Sequence, residues 1–164
     1  MNTRKLYTTY KTKMQRIADL NAANAVLQWD QETYLPKSGA HFRGQQISTL
    51  SEVAHQFFSE ESLGELLNEL LTKDDLSAAE KRNVERTRED YLKNKKYTSA
   101  FVRAMSEQVN KTFHSWLEAR SQNSFAIYEK DLDALVKLKK EEAELLGYTI
   151  HPYNALLNEY EKGA

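Results

Sequence analysis

Apolar residues recur at helical spacing from the start of the chain: Leu6, Tyr10, Met14 and Ile17, continued by Ala18, Ala25 and Trp29. This pattern predicts one long helix from about Arg4 to Thr33. It must end before Pro36, which lacks a backbone N–H and disfavours the α conformation at Leu35. Lys37-Ser38-Gly39 reads as a turn. A second helix follows from about Ala40 to Phe58, with Ile47, Leu50, Val53, Ala54 and Phe57 inward. Ser59 to Ser62 is a start signal for a short third helix with Leu63, Leu66, Leu67, Leu70 and Leu71 on its apolar face.

Ser77-Ala78-Ala79-Glu80 has capping-box spacing, in which each side chain satisfies the other residue's free backbone N–H. The helix it opens runs to about Asn94 and is the most polar of the set, with a narrow stripe of Leu76, Val84, Tyr91 and Leu92. From Thr98 or Ser99 a strong amphipathic pattern resumes with Phe101, Val102, Met105, Val109, Phe113, Trp116 and Leu117. Gln122-Asn123-Ser124 either breaks or bends it. The last long helix carries Phe125, Tyr128, Leu132, Leu135, Val136, Leu138 and Leu145, and stops at Gly147. A short helix opens at His151-Pro152-Tyr153, with Leu156 and Leu157 inward and Gly163 just past its end. No strand-like alternation or repeat occurs. The expected fold is all-α, an antiparallel bundle of long helices with short loops, formed by residues 1–164 as a single helical domain.

Composition narrows the function classes. Charged residues make up 29% of the chain but the net charge is -1, so no basic excess points to nucleic acid. The absence of cysteine excludes disulfides and thiolate metal sites and agrees with a reducing compartment. No apolar run approaches a membrane span, and Met1 to Lys5 leads into no signal-peptide core. The expectation is a cytoplasmic protein with no membrane or nucleic-acid partner.

The chemistry-bearing residues are sparse. His41, His55, His114 and His151 lie outside any His-Glu-x-x-His motif, the usual helical solution for a hydrolytic zinc. His114 and Glu118, four apart, read as an ordinary surface pair rather than a metal site. Glu141, Glu142 and Glu144 beside Lys137, Lys139 and Lys140 read as a solvated, charge-paired face. Asp131 and Asp133 splay apart on a helix, and Trp29, Trp116 and Phe125 read as core. No catalytic and no metal residue is assigned. Asp30 and Glu32 stand near a helix C-terminus, where carboxylates are unfavourable, so a cation is expected nearby; Arg43 is the candidate, pairing with Asp30 across the turn.

Trp29-Asp30-Gln31-Glu32-Thr33, then Pro36, Arg43 and Gln46, resembles the N-terminal region of the carboxypeptidase Taq family of zinc metallocarboxypeptidases. The resemblance continues through Leu63-Gly64-x-Leu66-Leu67, Trp116-x-x-Ala119-Arg120 with Asn123 and Phe125, and Glu142-Ala143 with Gly147. It ends in Pro152-Tyr153-Asn154-Ala155-Leu156-Leu157-Asn158-Glu159-Tyr160-Glu161-Lys162-Gly163. Leu35 replaces a usual Met, Ser124 and Asn154 replace Asp, and Lys162 replaces Pro. The resemblance implies the N-terminal part of a larger helical metallopeptidase fold, one that removes residues from a peptide's free C-terminus. The zinc and the residues that grip the substrate then lie downstream, in a C-terminal catalytic region missing from this chain, which by itself binds no zinc and is inactive. It further implies a groove-wall or cap role, with Trp29, Asp30 and Arg43 supporting the first turn and Trp116, Arg120 and Tyr153 the groove side. Homodimer formation is also implied. The alternative is a stand-alone, non-catalytic helical binding module derived from that family.

Overall fold

A computed structural model describes residues 2–158, 160 and 161. The elements are α1 (Thr3–Thr33), a 3-10 turn (Lys37–Gly39), α2 (Ala40–Phe58), α3 (Glu61–Leu71), α4 (Ala78–Asn94), α5 (Ser99–Gln122), α6 (Ala126–Leu146) and α7 (Pro152–Leu157). There is no strand among the described residues, and none of their helices is long and apolar enough to cross a membrane. The all-α expectation holds, with helix bounds close to those predicted. Gly163 lies outside the described residues.

Local chemistry sets the helix ends. Asn2 caps α1 by accepting from the Arg4 N–H at 2.8 Å. The Ser77–Glu80 capping box forms in both directions, as its spacing predicts. Gln122-Asn123-Ser124 breaks the helix: Asn123 adopts a left-handed φ of 49°, and the Ser124 N–H donates to the Ala119 carbonyl at 2.9 Å. Gly147 ends α6 at a φ of +77°.

The main core lies where the N-terminal half of α1 meets α3 and α4. Leu6, Tyr7, Tyr10 and Ile17 pack there with Leu63, Leu66, Leu67, Leu70, Val84 and Tyr91. Beyond Ile17, α1 leaves this core and pairs with α2, which in turn packs on α5; α6 lies against α5, and α7 against α6.

Several residues read as inward from the pattern are exposed. The stripe of α4 is Val84, Thr87 and Tyr91, and Leu92 faces out, because three- and four-residue steps from Val84 fall on Thr87 and Tyr91. Trp29 (57% exposed), Trp116 and Phe125 (61%) are not core. Val109, Leu117 and Val136 are exposed as well. The reason is shared: these residues sit on faces of α1, α5 and α6 over which no described helix packs. Phe125 moreover stands at the α6 N-cap rather than within the helix.

Candidate functional site

One heptad stripe runs along α1 through Tyr10, Met14, Ile17, Asn21, Asn24, Gln28 and Gln31. Its first half is apolar and enters the main core; its second half is entirely carboxamide. Where the stripe changes character, α1 and α5 stand on either side of α2 and leave a groove of about 840 Å³. The groove has apolar surface from Ile17, Ile47, Phe58, Phe101, Met105 and Phe113, and neutral amides from Asn21, Gln28, Gln31 and Asn110. Tyr97 and Glu142 contribute to its lining as well. An apolar cavity of this size with a few polar groups has the character of a binding site.

The hydrogen bonds around the groove leave a one-sided pattern. Asn110 Nδ2 donates to the Ser106 carbonyl at 2.8 Å, so Asn110 Oδ1 faces Gln31 as an acceptor. Gln31 must then present Nε2, at 2.8 Å, which leaves Gln31 Oε1 buried without a partner. The Tyr97 carbonyl, 3.0 Å from His55 Nε2, can only accept, so the proton sits on Nε2 and buried Nδ1 is an unpaired acceptor. Ser51 Oγ gives its proton to the Ile47 carbonyl and accepts from Asn24 Nδ2, leaving Asn24 Oδ1 in the same position. All three unpartnered groups are hydrogen-bond acceptors. Burial lowers the His55 pKa, which favours the neutral ring. Burial, helped by the Glu142 carboxylate that accepts from the phenol at 3.3 Å, pushes the Tyr97 pKa well above its ordinary value. Glu142 is thus half of an inward-facing polar contact and not part of a solvated face, because Tyr97 on the α4–α5 connection reaches it.

A second cleft of about 850 Å³ lies between α4 and the α6–α7 turn, bordered by Arg82, Arg86, Glu89 and Lys96. Its charges are of mixed sign, Arg82 is held by Glu85 at 3.2 Å, and Lys96 caps the Leu146 carbonyl. None of the unpartnered buried atoms found among the described residues belongs to its lining. The first groove is therefore the better candidate.

The residues assigned support roles from sequence, Trp29, Asp30, Arg43, Trp116, Arg120 and Tyr153, form separate clusters around this groove, and none of these six lines it; Glu32, His55 and Glu142, named above without such a role, do. Arg43 pairs with Asp30 across the α1–α2 turn, as expected; Trp29 packs edge-on against Tyr34, with centroids 5.4 Å apart. Arg120 stacks over Trp116 at 5.2 Å on the outer side of α5. Tyr153 is exposed on α7. His114 and Glu118 do not pair: Glu118 accepts from Gln122 at 3.0 Å, while His114 is partly buried against Phe113 with Nε2 unpartnered. Asp131 is buried and held by Lys111 at 2.8 Å, whereas Asp133 is exposed and pairs with Lys137. Sequence reasoning missed His55, Gln31 and Asn110. The signal available was the unbroken heptad on α1, whose second half carries only carboxamides.

No group of three or more His, Asp or Glu residues among the described residues could hold a metal ion. The donor set therefore does not fit a zinc centre.

Comparison with known proteins places this geometry. Carboxypeptidase 1 of Bacillus subtilis (strain 168) is 31% identical over 151 residues, which cover 92% of this chain. The chain spans 30% of the length of that relative. The BsuCP crystal structure superposes with a TM-score of 0.94 at 29% identity, covering 98% of this chain and 32% of that one. The structure of CHT is 52% identical with a TM-score of 0.76, again over 98% of this chain and 32% of its own. A profile of the carboxypeptidase Taq (M32) metallopeptidases matches residues 9–164, nearly the whole sequence, and the chain belongs to that family.

Proposed function

We propose that this chain is the N-terminal helical portion of a zinc-dependent metallocarboxypeptidase that removes C-terminal residues from peptides, and that it walls one side of the substrate groove. The observation that carries this reading is the match across residues 9–164 to a metallopeptidase family whose curated members are about three times as long by coverage. The 840 Å³ groove supports the peptide part of it. In this reading the zinc ligands belong to the part of such an enzyme that this chain does not span, in keeping with the lack of a fitting group of three or more His, Asp or Glu among the described residues.

In this reading Asp30 and Arg43, with Trp29 beside them, brace the α1–α2 turn that carries one groove wall. Trp116 and Arg120 brace α5, which carries the other, and Tyr153 supports the groove side from α7. A cytoplasmic location and homodimer formation accompany the reading through the family resemblance.

The test is an immunoblot of the source cells with an antibody raised against this chain, followed by assay of the captured species on a peptide with a free C-terminus. A species several times heavier than 19.0 kDa, active until a chelator removes its metal, is the expected result. A native species of 19.0 kDa without hydrolysis overturns it and leaves the stand-alone binding module.

A further inference from the structure

We draw no further inference here: the strongest candidate, the apolar patch that Val26, Trp29, Tyr34 and Phe42 expose at the α1–α2 turn, is an unpartnered face, and nothing in the structure shows what covers it.

Discussion

Arg43 reaches back from the first turn of α2 to the carboxylate of Asp30 and, through the same Nη1, to the Leu27 carbonyl at 3.1 Å. Its Nε donates to Gln46. One guanidinium thus offsets an acid placed near the negative end of α1 and adds a second hydrogen bond to a carbonyl within its last two turns. The contact is partly buried, with 16% of the Arg43 side chain and 33% of Asp30 exposed, so water screens it less than an open surface pair.

Arg43→Gln removes all three of these bonds and strands a half-buried carboxylate. We expect a loss of about 1–3 kcal/mol, measured as a lower midpoint in urea. Asp30→Asn should cost less, because the Leu27 and Gln46 contacts survive. A double-mutant cycle should show the two losses to be less than additive. Unchanged melting temperatures for both single variants would show the pair to be irrelevant to stability.

Gly64 is buried on α3 directly beneath Tyr91 of α4. A Cβ at this position would meet the Tyr91 hydroxyl at 2.5 Å and ring carbons at 2.6 and 2.7 Å. A methyl group gains about 1 kcal/mol in helix propensity. The clash is with a stiff, buried ring, however, and overpacking of this kind costs about 1–3 kcal/mol. Gly64→Ala should therefore destabilise, and calorimetry should show most of the loss recovered in Gly64→Ala/Tyr91→Leu.

Asn123 holds the left-handed turn between α5 and α6. Replacement by Val places a β-branched residue at a positive φ, for a cost of about 1–2 kcal/mol. Asn123→Gly should be neutral or better, because glycine is at ease there. Thermal melts of the two variants should bracket the natural chain; a Val variant as stable as the Gly variant would contradict the turn geometry.

His55 and His114 both have pKa values lowered by burial from the ordinary histidine value of about 6.5. A group depressed in the folded state contributes stability that is complete above its unfolded pKa. That stability is lost as pH falls through the folded value. Folding stability should therefore decline as pH drops below about 6.5. The groups that share the groove with His55 are Tyr97, Glu142, Glu32, Asp90 and Lys93. Asp131, held low by Lys111, adds its own loss at more acidic pH. Urea titrations between pH 7 and pH 4 should show a shallower slope in His114→Gln than in the natural chain. An unchanged slope would assign the acid sensitivity elsewhere.

The sequence by itself determined the helices and nearly all of their ends. Helical hydrogen bonds close within four residues, so Pro36 before the turn, the Ser77–Glu80 box and Gly147 act through their immediate neighbours. The Asp30–Arg43 pair was legible for the same reason, since a short turn brings the two residues together whatever else the chain does. Which apolar residues are buried was not local. Trp29, Trp116 and Phe125 have the spacing of core residues, and only the arrangement of α1, α5 and α6 left their faces without a covering helix. His55 was one histidine among four until α2 carried it to the Tyr97 carbonyl, 42 positions away in sequence. Glu142 looked like part of a charged surface until Tyr97 reached it. The groove itself arises because α1 and α5, distant in sequence, stand on the two sides of α2. Tertiary packing alone decided this, because burial and hydrogen-bond satisfaction depend on what the other helices place opposite each residue.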